Sequence, residues 1–292
     1  MKNLRVLLTI ILAVTLFACN PLAKLPGIQN GADAAFDLGD FEKAYQLYTE
    51  YVNLAEANQA EVSDAVYAKL AKASLETDKF GEAKTLYAKL LDKNQDDDLL
   101  LEYAQGLQKG GKLEDELALW NKYEVKDTKV MQRQLERQVA LNAELGNNAE
   151  VVSLYEAAKD DELTKETTFA YVKALAEEDQ STKAKKVSKD LIKANPDYKE
   201  ALEWGGKYFY ELADKRYKYE MAKYNKKKNA TTYAYLRRDL KKVSADFRTA
   251  RGYFEKLREM EPENKSYIKY LKNCYLRLEQ KDKAAQMDKL LK

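Results

Sequence analysis

The sequence predicts an all-α protein built from repeated helical hairpins, with one elongated hairpin near the C-terminus. Three observations predict this class. Only four prolines and eleven glycines interrupt 292 residues, of which 45% are hydrophobic and 34% are charged. A pattern of small and aromatic residues at 38–48 returns along the chain at intervals of about 33 to 39 residues. Near the C-terminus this interval nearly doubles without a helix breaker.

The first residues have the layout of a secretory signal. Lys2 and Arg5 precede an apolar run at 6–18 that is too short to span a bilayer comfortably. Residues 16–19, Leu-Phe-Ala-Cys, resemble the lipobox of bacterial lipoproteins, in which cleavage before the cysteine leaves it to carry lipid. The resemblance implies a signal peptide at 1–18 and acyl chains such as palmitate on Cys19. An ordinary signal peptide with an incidental cysteine is the alternative.

The segment after the cysteine predicts where the protein is held. In lipoproteins of double-membrane bacteria an aspartate directly after the cysteine tends to retain the protein at the inner membrane, and this chain has Asn20 there. The resemblance therefore implies the periplasmic face of the outer membrane. Pro21, Pro26 and Gly27 predict a lipidated linker at 19–30 that keeps the folded body near its membrane.

The repeats begin with a turn at Gly39, after which Phe41, Ala44 and Tyr48 fall on one face of a helix. Related positions recur at Phe80, Ala83 and Tyr87, at Leu113 and Trp120, at Gly146, Val151, Tyr155 and Ala158, at Ala184 and Leu191, at Ala250, Phe254 and Leu257, and at Ala284 and Leu291. This pattern resembles the tetratricopeptide repeat family. The resemblance implies about six to seven hairpin repeats over 31–292, stacked as an α-solenoid with a groove that binds partners. Glu116 departs from the family pattern, because a small residue is usual at its position.

Most aromatic residues at helical spacing are interpreted as packing residues. This applies to Tyr48, Tyr87, Trp120 and Tyr155. The 21 tyrosines as a group are suited to pack between helices through their rings while their hydroxyl groups remain in water. Cys274 lies among apolar residues and is predicted to be a small buried side chain rather than a nucleophile.

The elongated hairpin is predicted at about 206–258. Its first helix runs past Gly205 and Gly206 to a tip at 226–229, and Thr231 or Thr232 is predicted to cap its second helix. Residues of the second helix recur in steps of four and three, which indicates a packing seam: Leu236, Leu240, Val243, Phe247, Ala250, Phe254 and Leu257. We expect the hairpin to extend roughly 15 to 20 Å beyond an ordinary repeat.

Charge is distributed unevenly along the chain. Residues 33–180 carry a net charge of roughly −15, which predicts an acidic groove, whereas the outer faces of the elongated hairpin are basic. The basic residues are Lys215, Arg216, Lys218, Lys223, Lys226, Lys227, Lys228, Arg237, Arg238, Lys241 and Lys242. They form either a solvated face or a contact surface for an acidic protein, anionic lipid or cell-wall polymer. The export signal argues against nucleic acid as the partner.

Three functional hypotheses follow. The first is an outer-membrane-anchored lipoprotein that acts as a noncatalytic scaffold or adaptor in an envelope assembly, such as outer-membrane protein insertion or secretion machinery. The second is a peptide-binding or chaperone-like receptor that holds peptides in the groove. The third is a cell-wall-active enzyme, but adjacent acids at 96–98 and 114–116 point in different directions on a helix and do not form an acid–base pair. The chain has no histidine and two cysteines, so we predict no enzyme, no metal site and no cofactor.

Overall fold

A computed structural model describes residues 21–158 and 163–292. The predicted signal peptide at 1–18 and the predicted lipid-bearing Cys19 lie outside the described residues. Within these residues the chain forms fourteen α-helices and no strand, which confirms the all-α class. The helices are α1 (Leu25–Asp37), α2 (Phe41–Ala57), α3 (Asp64–Glu76), α4 (Phe80–Lys93), α5 (Asp97–Lys109), α6 (Leu113–Lys122), α7 (Thr128–Glu144), α8 (Asn148–Ala157), α9 (Lys165–Glu177), α10 (Ser181–Ala194), α11 (Lys199–Lys226), α12 (Ala230–Met260), α13 (Lys265–Arg277) and α14 (Lys281–Leu290).

The fourteen helices follow one another as seven pairs, and six pairs are joined by the same kind of turn. Each of these turns has one residue in the left-handed region, namely Gly39, Asp78, Gly111, Gly146, Asp179 and Glu279, with φ between 57° and 77°. The N–H of the following residue donates to the carbonyl five positions back, at 2.8 to 2.9 Å in every case. This hydrogen bond closes a helix end in a Schellman-type turn. The recurrence of one turn geometry is the structural basis of the sequence repeat.

The helices belong to two compact units that divide between Leu141 and Asn142, within α7. In the first unit, helices with even numbers form one layer: Tyr45 of α2 donates to Glu82 of α4 at 2.7 Å, and Lys84 of α4 pairs with Asp115 of α6 at 2.6 Å. Helices α1, α3 and α5 form the other layer. Tyr48, Tyr87 and Trp120 are buried between them, as the sequence predicts.

The predicted linker at 19–30 is wrong for its described part. A 3₁₀ turn at Pro21–Lys24 leads directly into α1, and Leu25 is already buried. Pro26 lies in the first turn of the helix, where a missing N–H costs nothing. The alanines of α1, Ala32 and Ala35, then pack in the core beside Ala44 and Tyr48 of α2. Packing therefore overrides the breaker residues.

Glu116 is buried in the first unit and has a specific partner. Its side chain is 1% exposed and accepts two hydrogen bonds of 2.7 Å from Arg137 of α7. The indole N–H of Trp120 donates to the same carboxylate at 3.3 Å. A bidentate ion pair thus occupies a position where the repeat family usually has a small residue.

In the second unit, α11 and α12 form the predicted elongated hairpin, with 28 and 31 residues against 17 or fewer in every other described helix. The predicted seam is buried except for Leu240, which is half-buried. A Cβ on Gly206 would lie 2.9 Å from the Phe254 ring, so the two helices approach closely only because this residue is glycine. Cys274 is fully buried in the same core, and burial raises the pKa of its thiol to about 12, as expected of an inert packing residue.

The start of α12 corrects the predicted cap. Asn229, not Thr231 or Thr232, is the N-cap, and its side chain accepts a 2.8 Å hydrogen bond from the N–H of Thr232. The Thr232 hydroxyl accepts in return from the N–H of Asn229 at 3.1 Å. The two residues form a capping box, in which the predicted cap Thr232 is the second member.

Candidate functional site

The odd-numbered helices of the first unit present a polar surface that we call the first front face. It carries Asp33 and Phe36 of α1, Lys69 and Lys72 of α3, and Glu102 of α5. Lys69 pairs with Asp33, Lys72 pairs with Glu102 at 2.7 Å, and both lysine ammonium groups lie within 6.0 Å of the Phe36 ring centroid. These four charged side chains are 30% to 38% exposed. The surface is therefore a half-buried network with its charges already paired.

This network shows how some of the acidic residues of the predicted acidic groove are used. On the first front face acidic and basic side chains pair one to one, and the acidic surplus lies in part at helix starts, for example Asp40, Asp64 and Asp96. Partial burial of Asp33 opposes its ionisation, but hydrogen bonds from Lys69 and Tyr48 outweigh that effect and lower the pKa of Asp33. Two ion pairs, Lys69–Asp33 and Lys72–Glu102, therefore connect the helices of this face.

The second front face, on α9 and α11, is aromatic. Trp204 and Tyr208 of α11 stack with ring centroids 4.5 Å apart, and Phe169 of α9 meets Trp204 edge to face at 6.1 Å. All three rings are half-buried. The ammonium group of Lys173 lies 5.0 Å from the centroid of the Phe169 ring. Lys207, three residues after Trp204, is exposed. The result is a strip of aromatic surface bordered by lysines.

Two hydrogen-bond donors on this strip have no acceptor among the described residues. The Tyr208 hydroxyl is buried and has no hydrogen-bond partner within the described chain. The Trp204 indole N–H, although not buried away from solvent, makes no hydrogen bond to any described residue either. An unpaired buried donor is unfavourable unless something else accepts from it, so each such group requires an explanation. The Trp204 N–H is open to such an acceptor, whereas the Tyr208 hydroxyl is closed to solvent.

The eleven predicted basic residues lie on the hairpin of α11 and α12, which we call the arm. The structure leaves ten of them exposed and Arg216 half-buried. Within the described chain only two form an ion pair: Lys218 with Asp214 at 2.7 Å, and Arg238 with Asp239 at 3.1 Å. From Met221 to Arg238, the described hydrogen bonds, ion pairs and ring contacts all stay within the arm or its tip.

A cleft of about 500 Å³ lies between α10 and the base of the arm. Its walls include Lys185 of α10, Lys215, Arg216 and Tyr219 of α11, and Asp246 of α12. Lys185 forms an ion pair with Asp246 across the cleft, so part of its charge is compensated. This ion pair connects α10 to the base of the arm, and the cleft opens beside the basic side chains.

The described residues give no sign of two other kinds of site. Between residues 21 and 158 and between 163 and 292, no group of three or more Cys, Asp or Glu side chains is placed to hold a metal ion. No helix in these same stretches is both long and apolar enough to cross a membrane.

Comparison with known proteins identifies the architecture. The C-terminal part of a tetratricopeptide-repeat-containing protein from Cytophaga hutchinsonii superposes with a TM-score of 0.51 at 15% identity, covering 89% of this chain and 92% of that part. The chain has the tetratricopeptide-repeat fold. A repeat protein from Parabacteroides merdae gives a TM-score of 0.45 at 15% identity, covering 86% of this chain and 99% of its own. Neither the models of known protein families nor the curated protein sequences match this sequence.

Within this repeat fold, sequence reasoning found the arm but missed the aromatic strip. Trp204, Gly205 and Gly206 together resemble the close-packing positions of the repeat family, and that resemblance predicts no aromatic surface. Trp204 and Tyr208 are four residues apart, which places both on one helix face, and this was the available signal. Phe169 joins them from another helix, and that neighbour could be found only from the three-dimensional structure.

Proposed function

We propose that this chain is a noncatalytic scaffold that binds a segment of a protein partner on the second front face. The observation that carries the proposal is the stacked pair Trp204 and Tyr208, in which the solvent-accessible Trp204 N–H has no acceptor in the described chain. Half-buried aromatic rings supply contact area at little conformational cost, and the Trp204 N–H would donate to a backbone carbonyl of an extended segment.

The lysines around the strip favour a partner segment with acidic side chains. Lys173 and Lys207 are exposed and form no ion pair within the described residues. A carboxylate beside either lysine would gain a partner without breaking an existing one. The paired charges of the first front face offer no such gain, so we place the principal contact on the second unit.

The test is affinity purification of the intact protein from its own cells after mild crosslinking. We expect discrete partners, and we expect Trp204→Ala to lose them while circular dichroism shows the helices intact. The double variant Lys173→Glu/Lys207→Glu should weaken recovery. The matched control, Lys186→Glu/Lys193→Glu on the exposed surface of α10, makes the same charge change and should retain recovery.

Two outcomes would contradict this proposal. Recovery of no discrete partner from the unaltered protein would argue against an adaptor. Recovery of many unfolded proteins in place of a few would favour the chaperone-like receptor instead.

The same proposal includes the location of the protein in the cell. The lipobox-like residues at 16–19 support a lipoprotein anchored through Cys19 at the periplasmic face of the outer membrane, where an adaptor would serve an envelope assembly. Metabolic labelling with a palmitate analogue should label the protein, and Cys19→Ala should abolish the label. A mature form that begins at another residue would contradict the anchor.

A further inference from the structure

The distal half of the arm, residues 214–242, combines every exposed aromatic side chain of the described chain with nine basic groups that form no ion pair among the described residues. We propose that this half of the arm binds the surface of a lipid bilayer that carries anionic headgroups. This goes beyond the proposed function and does not depend on it, because the residues concerned are not those of the second front face.

Electrostatics provides the first argument. Eleven basic and two acidic side chains lie between Lys215 and Lys242, the acidic ones being Glu220 and Asp239. Nine of the eleven have no ion-pair partner among the described residues. Lys226, Lys227 and Lys228 are exposed at the tip, where no described helix outside the arm pairs with them. Such a concentration of free positive charge is attracted to an anionic membrane surface and is screened by salt.

The aromatic residues provide the second argument. Tyr219, Tyr233 and Tyr235 are 64%, 50% and 51% exposed, whereas every other Tyr, Phe and Trp of the described chain is buried or half-buried. Tyrosine has an apolar ring and a polar tip, so it prefers the boundary between headgroups and acyl chains. Exposed tyrosines among lysines are the combination that a membrane surface accommodates.

The same residues fit nucleic acid less well. A base needs an open ring face to stack on, but Arg238 already lies 5.3 Å from the Tyr235 centroid and Tyr233 packs against Tyr224 at 6.0 Å. Of the eleven basic residues eight are lysines, which act as point charges, and three are arginines, which bind phosphate in a fixed bidentate geometry. A diffuse layer of headgroup charge suits the lysine-rich surface better.

The experiment measures how the full-length chain partitions onto two kinds of vesicle, phosphatidylcholine alone and phosphatidylcholine mixed with phosphatidylglycerol. Any membrane affinity of residues 1–20 is common to all variants, so the ratio of the two partition coefficients, compared between variants, isolates the arm. The arm variant carries five changes to glutamine, at Lys223, Lys226, Lys227, Lys228 and Arg237. The control carries five at exposed lysines elsewhere that form no ion pair among the described residues: Lys43, Lys126, Lys129, Lys265 and Lys281.

We expect the unaltered chain to prefer the anionic vesicles, and we expect the arm variant to lose about tenfold or more of that preference. The control should change by less than about twofold. Raising the salt from about 0.1 M to about 1 M should remove most of the preference. Circular dichroism of each variant checks that the helices are intact.

A second variant isolates the rings at constant charge. Replacing Tyr219, Tyr233 and Tyr235 with serine should weaken partitioning onto anionic vesicles severalfold, and an unchanged value would contradict their contact with the bilayer. Equal losses in the arm variant and the control would overturn the proposal, because total charge would then explain the result. Loss of binding to a single-stranded oligonucleotide, without a change on vesicles, would overturn it in favour of nucleic acid.

Discussion

At the scale of single residues, the departures from the repeat pattern are the most informative positions. Glu116 was recognisable in the sequence as a charged residue at a position where small residues are usual. That Arg137 and Trp120 surround it could not be predicted, since Arg137 is 21 positions away and belongs to another helix. A carboxylate that is 1% exposed requires a partner of opposite charge, because an unpaired buried charge would be strongly unfavourable.

Replacing Glu116 with alanine should lower the free energy of unfolding by about 3 to 5 kcal/mol, since it leaves Arg137 without its carboxylate. Urea denaturation measures the change. Glu114→Ala, an exposed acid in the same helix turn, is the control and should stay within about 0.5 kcal/mol. The double change Glu116→Leu/Arg137→Leu should recover much of the loss, and a double variant as unstable as the single one would contradict the ion-pair explanation.

The left-handed turn residues predict opposite effects of two substitutions. Glu279 has a φ of 61°, in the left-handed region that disfavours residues with a side chain. Glu279→Gly should therefore relieve backbone strain. It should raise the free energy of unfolding by about 0.5 kcal/mol once the greater conformational entropy of the unfolded glycine variant is subtracted. Gly146 has φ of 77° with open space around it, so Gly146→Ala should cost about 1 kcal/mol from backbone strain alone. Thermal unfolding of both variants tests the pair, and equal shifts in the same direction would contradict this assignment of the turns.

At the scale of elements, helices defined by periodicity were predictable and helix ends were less so. The seam of α12 followed from steps of three and four, and the tip of the arm followed from its lysines. The start of α12 was placed at Thr231 or Thr232 because threonine is a good N-cap, but Asn229 takes that role once Thr232 completes the capping box. Likewise α1 could not be distinguished from a linker, because only its contacts with α2 show that its proline and glycines are tolerated.

The arm should open from its tip. Between Met221 and Arg238 the described hydrogen bonds, ion pairs and ring contacts lie within the arm alone, and Leu236 is the buried residue of α12 there. Amide hydrogen exchange at 220–236 should therefore be faster than at 201–213 and 243–257. Asn229→Ala removes the cap and should cost about 1 kcal/mol locally, accelerating exchange near the tip with little change in the global melting temperature. Uniform exchange along both helices would contradict independent opening of the tip.

At the scale of the whole molecule, composition predicted the all-α class, and the spacing of repeats predicted about the right number of hairpins. Composition could not predict how the charges are used. An excess of acidic residues in the first half suggested an acidic groove, but Asp33 and Glu102 find lysines on neighbouring helices. Such pairs depend on which helices become neighbours, and net charge along the sequence carries no information about that.

Tyrosine burial predicts how stability responds to alkaline pH. The pKa is raised for twelve tyrosines. Burial is the largest cause in eleven of them, and the hydrogen bond to Glu82 is the largest cause for Tyr45. In the unfolded chain these groups ionise near pH 10, so their contribution to stability is complete below about pH 10 and is lost as pH rises through the folded values. For Tyr253 and Tyr275 the folded pKa is about 12.

We therefore expect the phenolate absorbance to rise cooperatively above about pH 11, together with loss of the helical circular dichroism signal. Simultaneous pH titrations of absorbance and circular dichroism measure both quantities. A gradual rise to the full absorbance of all 21 tyrosines near pH 10, with the helices intact, would contradict the burial of these twelve.

The central claim is that the second front face binds a protein partner, and site-specific photo-crosslinking in living cells tests it most directly. A photoreactive amino acid is placed singly at Lys173 and Lys207 beside the aromatic strip, and at Lys186 and Lys193 on α10. The account predicts crosslinks to the same discrete partner from the first two positions and not from the other two. Crosslinks to a partner from α10 alone, or equally from all four positions, would contradict it.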